Sequence, residues 1–351
     1  MEIMKLMIRS ALSVLAIFML GACGDDDAQV DTIDASTVVQ TVDDYVDPRD
    51  GHVYKCVRIG NQIWMAENLA YYLKGGSYSG CYTWGEKTIR LSDIELPLDE
   101  WAEMAKAILT DPQYDFESLG YPIQSMLGQI ERIRLKQKPS SAYMDYWRLF
   151  APEFFSKLSE KTEAARADYL FLKAEEHTAE AEAKNGQYSK KYGYLYSLDA
   201  AKAAVPAGWR LPSDNDWKML EHALGMGASE VDKLDAWRGH NAGDYLKLGG
   251  VSGFDALFGG CLAYEYSTTA LNYVRLNDCC YFWTSEKRTE TETITNGKDS
   301  DTGETPSIQT YEEGIVRQLA VYSSQIWRGT TRLDNTYYPM AYSVRCVKDV
   351  P

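Results

Sequence analysis

The hydrophobic pattern of the chain changes twice, and these changes limit the folds it can adopt. Residues 51–87 alternate β-branched or aromatic side chains with polar ones, and Gly60 and Asn61 interrupt the alternation. This pattern predicts a β-hairpin. Glu, Ala, Lys and Leu dominate residues 88–190, and strand-like stretches separated by Gly, Asn and Asp follow in residues 191–351. The chain therefore predicts a helical subdomain between two β-rich blocks.

Apolar periodicity predicts three helices within the helical subdomain. Residues 98–109 and 122–137 carry the pattern, and Pro152 suits the first turn of a long third helix. Lys184–Gly186 predicts the end of that helix. Five of its residues step by four and three, the spacing of an antiparallel bundle seam. They are Leu158, Thr162, Ala165, Tyr169 and Leu172. We interpret this stripe as helical core, since it resembles no cofactor-binding pattern.

The first residues predict a secretory signal. Lys5 and Arg9 precede the nearly all-apolar residues 11–20, a stretch too short to span a bilayer. Small residues then lead to Cys23, which resembles the lipobox of bacterial lipoproteins. In that family the signal, here residues 1–22, is removed and the cysteine carries lipid, which holds the protein on a membrane. An ordinary signal peptide with an incidental cysteine is the alternative.

Residues 23–50 predict an acidic, flexible tether. Between Gly24 and Asp50 the chain has nine Asp and one Arg, with few large apolar side chains to bury. Residues 24–27 read GDDD, which resembles the surface-export signal of Bacteroidetes lipoproteins. A plain solvated linker is the alternative. We expect a lipid-anchored protein of the outer membrane, exposed on the cell surface.

The net charge of the chain excludes two classes of partner. At pH 7 the formal charge is -15. Nucleic acid and anionic lipid surfaces would be repelled by such a protein. The only membrane contact that we expect is through the lipid anchor.

Six cysteines follow the predicted lipidation site, and export permits disulfides. Fifteen pairings of six cysteines exist. Cys56 and Cys346 lie in strand-like stretches at the two ends of the domain, so we predict them as the first pair. Cys261 with Cys279 or Cys280 is the second. A zinc site is the alternative, but no CxxC with suitably spaced His occurs, and we expect no metal.

The stretch GWRLPSDNDWKMLE, residues 208–221, predicts a structural corner before a helix. Ser213 is a good N-cap, and Asp216 completes a capping-box pattern. The proline fixes the backbone, the two tryptophans supply apolar area, and the arginine is expected to bond turn carbonyls. The structural residues are Trp209, Arg210, Pro212, Ser213 and Trp217. We favour a structural role because no nucleophile lies beside a base.

Catalytic patterns are not found elsewhere in the sequence either. The four histidines stand apart, and no HExxH, GxSxG, P-loop or GxGxxG context occurs. Residues 288–310 predict a polar, solvated loop. Asp299 and Asp301 suggest a calcium loop there, but Glu304 occupies the position of the EF-hand glycine. We expect no cofactor and a protein that is not an enzyme.

Binding is the function class that the composition favours. The chain has 25 Tyr and nine Trp. Aromatic faces beside Asn, Asp and Arg suit sugar rings, which need stacking together with directed hydrogen bonds. The candidate ligand-binding residues are Tyr264, Glu265, Asn277, Asp278, Trp327 and Arg328. We expect a carbohydrate or a host or matrix protein as partner.

Six blocks occur in an order that resembles the Fibrobacter succinogenes major paralogous (FISUMP) domain. They are VYKCVRIGNQIWMAENL, KYGYLYSLDAA, GWRLPSDNDWKMLE, FDALFGG, YFWTSEK and YSVRCVKD. The resemblance covers residues 51–87 and 191–349, with residues 88–190 as an insertion. It implies an exported protein, often a lipoprotein of the Bacteroidetes and Fibrobacter groups. One departure is Val205, where that family often has Cys.

The Trp-Arg-Leu-Pro turn and its helix also resemble formylglycine-generating enzymes and their relatives. This implies a C-type-lectin-like α+β fold, here with an inserted helical bundle. Formylglycine-type oxidation needs two placed reactive cysteines, and the adjacent Cys279 and Cys280 lie in no matching motif. The Trp-Asn-Asp calcium motif of true lectins is absent, since Leu276 replaces the Trp. We therefore do not expect calcium-dependent sugar binding.

Three functions follow as hypotheses. The first is a surface-anchored, non-catalytic binding or adhesion lipoprotein, with glycan as a possible ligand. The second is a structural or assembly subunit of an outer-membrane complex, which binds its partner through the helical insertion. The third, an enzyme of the formylglycine-generating type, is the least favoured.

Overall fold

A computed structural model describes residues 34–135, 141–265, 270–294, 307–333 and 340–350. Helices and several sheets are mixed in it, so the fold belongs to the α+β class. The predicted signal segment, Cys23 and the Asp299–Asp301 stretch lie outside the described residues.

Strands and short helices follow one another along the chain. The strands are β1 (Val39–Thr41), β2 (Tyr45–Val46), β3 (Val53–Tyr54), β4 (Cys56–Ile59), β5 (Gln62–Met65), β6 (Cys81–Tyr82), β7 (Leu195–Tyr196), β8 (Ala236–Arg238), β9 (Cys261–Glu265), β10 (Ala270–Val274), β11 (Cys279–Ile294), β12 (Ser307–Ala320), β13 (Ile326–Arg332) and β14 (Val347–Asp349). The α-helices are α1 (Ala35–Val38), α2 (Leu98–Leu109), α3 (Ile123–Arg134), α4 (Ser141–Phe150), α5 (Pro152–Lys184), α6 (Tyr188–Tyr192), α7 (Leu198–Ala204), α8 (Asp214–Ala223), α9 (Ala228–Val231) and α10 (Ala242–Leu246). The 3-10 helices are Gly76–Ser79, Leu91–Asp93 and Pro112–Tyr114.

The first sheet joins the two ends of the described chain. Its strand order is β1-β4-β5-β14. The predicted hairpin is confirmed as β4 and β5, with Gly60 at a left-handed φ of 59° in the turn. Strand β14 pairs with the other edge of β5, where Val347 lies opposite Trp64.

The predicted flexible tether extends less far than residue 50. Strand β1 pairs with β4, where Val39 lies opposite Ile59, and β2 pairs with β3. Val42 and Tyr45 pack against the main hydrophobic core. The tether prediction was wrong here because it rested on the Asp-rich composition. The few apolar side chains of this stretch bury enough surface to hold the chain against the sheet.

The helices predicted in the helical subdomain are confirmed as α2, α3 and α5, and α4 is an additional helix that the sequence did not predict. The predicted seam of α5 is wrong in its second half, because Leu172 is 61% exposed. Phe154 and Leu158 are buried in a cluster with α2, α3 and α4. Further along, Ala174 and Thr178 are buried instead, where α5 meets the 3-10 helix Gly76–Ser79. The helix changes its buried face because its two halves pack against different partners.

Close backbone approach fixes the second half of α5 to the sheet region. A Cβ atom at Gly76 would lie 2.2 Å from Thr178 Oγ1, and the φ of Gly76 is 50°. The neighbouring Gly75 N–H donates to the Glu175 carboxylate. Only glycine fits at this contact without displacing the helix.

The second sheet has the strand order β11-β12-β13-β8, and the candidate functional side chains lie on its two faces. Strands β11 and β12 form a long hairpin, in which Thr291 lies opposite Thr310. The predicted loop over residues 288–310 is therefore wrong for residues 288–294 and 307–310. Alternating Thr and Glu favour a solvated strand, because the β-branched side chains fit a pleated surface.

Aromatic rings and the buried Arg345 pack together between the two sheets. Trp217 lies 5.1 Å from Trp64 and 5.7 Å from Phe254 between ring centroids. The Arg345 guanidinium lies 4.5 Å from the centroid of the Phe254 ring and donates to the carbonyls of Met65, Phe254 and Asp255. Burial lowers the pKa of Arg345 to about 10, so it stays charged at neutral pH.

Candidate functional site

The corner before α8 is held by one carboxylate. Ser213 Oγ accepts the Asp216 N–H, and the Asp216 carboxylate accepts the Ser213 N–H, which confirms the predicted capping box. Arg210 donates to Asp216 and to Asp349. The expected bonds from Arg210 to turn carbonyls are thus replaced by carboxylate pairs, which are stronger because both partners are charged.

The remaining corner residues are packed rather than open. Trp217 is fully buried and Trp209 nearly so, with Lys348 Nζ lying 4.6 Å from the Trp209 ring centroid. The Pro212 carbonyl accepts the Ser285 N–H. These contacts join the corner to β11 and β14.

One side of α8 holds three arginines of the second sheet. Glu221 accepts two hydrogen bonds from Arg238, at 2.8 and 2.9 Å, and a further one from Arg317. Asp214 accepts two from Arg328, at 2.9 and 2.7 Å, and lies 2.9 Å from Arg317 Nη1. Because Asp214 and Glu221 lie seven residues apart, they share one face of the helix.

These charges are removed from water. Arg238, Arg317 and Glu221 are fully buried. Burial lowers the pKa of Arg238, although Glu221 opposes the shift. Burial alone would raise the pKa of Asp214, but the hydrogen bonds and charges of Arg328 and Arg317 outweigh it and hold this pKa well below its usual range. We call the surface formed by Arg238, Arg317 and Arg328 the arginine face.

The opposite face of the same sheet carries a row of aromatic and amide side chains. Trp237 lies directly opposite Trp327, which lies opposite Gln318, which lies opposite Tyr281. Neighbouring strands are about 4.8 Å apart, so the row spans about 14 Å. All four residues are partly exposed. We call these four residues the tryptophan row.

The row is open at one end. At the β11 end, Tyr342 stacks on Tyr281 with 5.3 Å between centroids. At the β8 end, the Trp237 ring lies 5.9 Å from that of Trp327 and 6.4 Å from that of Tyr322, inclined by 62° to each. Tyr322 is 68% exposed. We call Trp237, Trp327 and Tyr322 the aromatic corner.

Two residues beside the aromatic corner have a strained backbone. Within the described part of the chain, five non-glycine residues have a left-handed φ. Asp235, at 53°, lies beside Trp327, and Arg275, at 67°, is paired with Asp278 at the edge of the corner. Such strain persists where the surrounding structure imposes it, and it is often found at binding sites.

A glycine allows one ring of the corner to lie flat over its strand. A Cβ atom at Gly329 would lie 2.2 Å from Trp327 Nε1 and 3.1 Å from Asp235 Oδ1. Asp235 Oδ1 also accepts the Thr330 N–H. The indole and the carboxylate therefore meet above the same point of β13, which places a polar group beside an aromatic face.

The structure separates the predicted ligand-binding residues. Trp327 belongs to the aromatic corner, and Asp278 lies at its edge, 3.6 Å from Arg275. Arg328 instead belongs to the arginine face, because successive side chains of a strand point to opposite sides. Asn277 is exposed, with its Oδ1 accepting the Tyr192 hydroxyl of α6 at 2.9 Å.

Strand β9 contains Tyr264 and Glu265, whose side chains lie outside the described ones. The sequence prediction missed Trp237, Gln318 and Tyr322. Trp237 could have been noticed as a tryptophan in a short strand-like stretch, but its neighbours become apparent only from strand pairing.

The first predicted disulfide is absent from the structure. The six cysteines of the described residues are free and buried. Cys56 lies opposite Met65 on one side of β5, while the Met65 N–H donates to the Cys346 carbonyl on the other. Two strand spacings, about 10 Å, then separate the cysteine backbones, beyond the roughly 7 Å that a disulfide can bridge.

The second predicted pair is also absent, and its thiols are unsuited to reaction. Cys261, Cys279 and Cys280 are all free thiols in the interior. Burial raises the pKa of both Cys261 and Cys280 to about 12. The thiolate is the reactive form of cysteine, and neither residue carries it at neutral pH.

No cluster in the described residues has the ligands of a metal site: nowhere do three His, Cys, Asp or Glu side chains come together for that purpose. A cavity of about 570 Å³ opens between the end of α2 and the start of α3, lined by residues of 109–125. Its lining includes the carboxylates of Asp111, Asp115 and Glu117, and no His, Cys or Lys.

Comparison with known proteins identifies one family. The family model described as the Fibrobacter succinogenes major domain matches residues 155–348. No curated protein and no solved structure matches the chain. The matched residues include α8, the arginine face and the tryptophan row.

Proposed function

The chain belongs to the Fibrobacter succinogenes major domain family, and we propose that it is a non-catalytic binding module whose ligand, a glycan, lies on the open end of the tryptophan row. One observation carries this proposal. Trp237, Trp327 and Tyr322 remain partly or largely exposed beside one another, whereas the charges of the arginine face are buried and paired. Exposed, contiguous aromatic rings on a folded domain mark a binding surface.

The chemistry of the aromatic corner suits a sugar. A pyranose ring presents C–H groups that pack on an aromatic face and hydroxyls that need directed hydrogen bonds. The indoles of Trp237 and Trp327 supply the faces. The Gln318 amide and the Asp235 carboxylate supply polar groups at the margins of these faces.

A binding array tests this proposal. Soluble Asp25–Pro351 would be applied to immobilised glycans and matrix proteins, as wild type and as Trp327→Ala. We expect at least one glycan to bind and the variant to bind it about tenfold more weakly or worse, because central tryptophans dominate binding energies.

Trp101→Ala is the matched control, since Trp101 is a partly exposed tryptophan of α2 that stacks on Trp147. This control should retain wild-type binding. An array on which the wild-type protein binds no glycan would overturn the proposal, and so would equal losses in the two variants.

We propose further that the α+β fold is of the C-type-lectin-like kind. Two features support this. The first sheet joins the beginning and the end of the described domain, through β4, β5 and β14. The Trp-Arg-Leu-Pro corner leads into a helix that packs under the second sheet. An experimentally determined structure that superposes on a C-type lectin domain would establish the assignment, and a different strand order would refute it.

The protein is proposed to be a lipoprotein of the outer membrane, exposed at the cell surface. The lipobox at Cys23 and the acidic residues 24–27 support this. None of the helices in the described part of the chain has both the length and the apolar character to cross a bilayer. Labelling of cells with palmitate should mark the wild-type protein and not Cys23→Ser. Resistance to externally added protease in intact cells would contradict surface exposure.

A second function, assembly into an outer-membrane complex, is supported by one feature of the helical segment. Helix α4 leaves Leu149 and Phe150 exposed by 73% and 63%, next to Tyr146. Neighbouring exposed apolar side chains mark a protein contact. A stoichiometric partner that copurifies from native membranes with the wild type, but not with a Leu149→Ser/Phe150→Ser variant, would establish this function. Copurification of the same partner with both proteins would refute it.

A further inference from the structure

Building on the proposed function, we infer that the aromatic corner binds the terminal residue of a neutral glycan, a single uncharged hexopyranose ring. The inference concerns the same surface as the proposed function and adds two properties of its ligand. The ligand residue lies at a chain end, and it carries no carboxylate or sulfate.

The inclination of the aromatic rings indicates that the bound sugar lies at a chain end. The interior of a polysaccharide stacks on aromatic rings that lie roughly in one plane, because successive sugars must each find a face. Here the rings of Trp327 and Tyr322, which both contact the Trp237 ring, are each inclined to it by 62°. A ring seated against Trp237 therefore meets Trp327 or Tyr322 as a wall, and the chain cannot continue past these walls.

The end of the tryptophan row adds a second limit. Tyr342 stacks on Tyr281, so the row does not continue as an open platform across the four strands. The open length is restricted to the β8 and β13 side, about one strand spacing, or about 5 Å. This length accommodates one pyranose ring.

The charge around the aromatic corner indicates that the bound sugar is uncharged. Asp278 lies beside Tyr322, where the Val321 N–H donates to its carbonyl, and its carboxylate is paired with Arg275. Asp235 lies beside Trp327, and its carboxylate is exposed. Lys247 donates to the carbonyls of Val321 and Ser323, which flank Tyr322, and is paired with Asp244. Three carboxylates, one guanidinium and one ammonium group therefore give a local charge of about -1, in a protein with a formal charge of -15. Such a rim repels uronic, sialic and sulfated sugars.

The polar groups at the corner suit hydroxyls. Gln318 Nε2 donates to Cys279 Sγ at 3.4 Å, a weak acceptor that a hydroxyl oxygen can replace. The Asp235 carboxylate can accept from two adjacent hydroxyls of one ring, since it has two oxygens. A neutral hexopyranose supplies both kinds of group.

Titration calorimetry with defined sugars tests the inference. The probes are the methyl glycosides of glucose, galactose and mannose, the matching methyl hexuronides, and oligosaccharides of two to six residues of whichever sugar binds. We expect affinity to change less than about threefold between one and six residues, and the hexuronide to bind at least about tenfold more weakly than its neutral counterpart. Asp235→Asn should reduce that discrimination to about threefold or less.

The outcomes separate this inference from the proposed function. Affinity that rises with each added residue would overturn terminal binding, while glycan binding itself would stand. Equal affinity for a hexuronide, or unchanged discrimination in Asp235→Asn, would overturn the preference for neutral sugars. A wild-type protein that binds none of these sugars would overturn both proposals.

Variants check that the corner is the site. Tyr322→Ala removes a wall that is largely exposed, so the fold should tolerate the change. We expect it to weaken binding of the methyl glycoside several-fold. Trp101→Ala should leave that affinity unchanged. Unchanged affinity in Tyr322→Ala would place the site elsewhere and overturn the inference.

Discussion

The two faces of the second sheet are built from adjacent residues, yet they have opposite chemistry. Arg328 follows Trp327 directly, and Arg238 follows Trp237. The arginines are buried against Asp214 and Glu221 of α8, whereas the tryptophans remain partly exposed. Residue type alone would have suggested the reverse arrangement, with charge outside and aromatic rings inside.

This difference shows which residues are available for function. The guanidinium groups of the arginine face are buried, so a ligand cannot reach them, and their bonds to the carboxylates of α8 hold strands and helix in one arrangement. Aromatic rings that remain exposed beside one another, as Trp237, Trp327 and Tyr322 do, mark a binding surface. Measurements on the two faces can therefore be made in pairs, with stability as one readout and glycan affinity as the other.

The largest effect is expected at the centre of the arginine face. Glu221→Gln removes the charge that neutralises Arg238 and Arg317, and leaves both guanidinium groups buried. Breaking a buried ion pair on one side costs about 3–5 kcal/mol. Urea unfolding should show this loss, while the folded fraction should bind glycan as the wild type does.

Glu230→Gln is the control, since this glutamate of α9 lies on the surface and makes only a loose contact with Lys233 at 3.9 Å. We expect it to change the free energy of unfolding by less than about 0.5 kcal/mol. If Glu221→Gln lowers the free energy of unfolding by less than about 1 kcal/mol, the arginine face does not stabilise the fold as we expect.

A smaller and pH-dependent effect is expected at the edge of the same face. Arg328 and Arg317 hold the pKa of Asp214 well below its usual range despite burial. A depressed pKa stabilises the fold fully above the pKa of the unfolded chain, about 4, and this stabilisation is lost as pH falls toward the folded value. Asp214→Asn should therefore lose about 3 kcal/mol at pH 7, the lower end of the range for a broken buried ion pair, because its side chain keeps some exposure.

The difference between the wild type and Asp214→Asn should narrow between pH 4 and pH 2. Urea unfolding at pH 7, 4 and 2.5 measures it. A difference that stays constant over this range would indicate that Asp214 contributes through packing and not through its charge.

Local patterns predicted the parts of the fold that depend on neighbours in sequence. The β4–β5 hairpin, the bounds of α2 and the Ser213 cap each depend on a few consecutive residues, and each was predicted. The predicted disulfide between Cys56 and Cys346 is absent because terminal strands can belong to one sheet without being adjacent in it. Strand β5 lies between them.

The candidate site depends on pairing between distant residues. Trp237, Trp327 and Gln318 meet only because β8, β13 and β12 are neighbours in the sheet. A single strand does give one local clue. Trp327 and Arg328 are consecutive, so a strand there requires them to face opposite sides, and they could not share a ligand. The sequence prediction named both as candidates for binding a ligand and missed this consequence.

The cap of α8 is expected to give a moderate effect. Ser213 Oγ accepts the Asp216 N–H, and Ser197 caps α7 in the same manner. Each Ser→Ala variant should lose about 1 kcal/mol in urea unfolding, because one N-terminal N–H loses its acceptor. Ser197→Ala is the matched control, since α7 carries no residue of the arginine face. A loss in Ser213→Ala several times that of Ser197→Ala would show that the arginine face depends on the placement of α8.

The smallest effect on stability is expected at Tyr322, where the change in stability and the change in glycan affinity should differ most clearly. This side chain is 68% exposed, so Tyr322→Ala should change the free energy of unfolding by less than about 0.5 kcal/mol. Affinity for the bound glycan should nevertheless fall several-fold, because one wall of the aromatic corner is lost. Tyr78→Ala is the control, since Tyr78 is 49% exposed beside α5, where its ring contacts Phe171. Glu221→Gln is expected to lower the free energy of unfolding and to leave glycan affinity unchanged. Together the two variants would show that the arginine face serves stability and the aromatic corner serves binding. A Tyr322→Ala protein that is destabilised and binds normally would assign both faces to the fold.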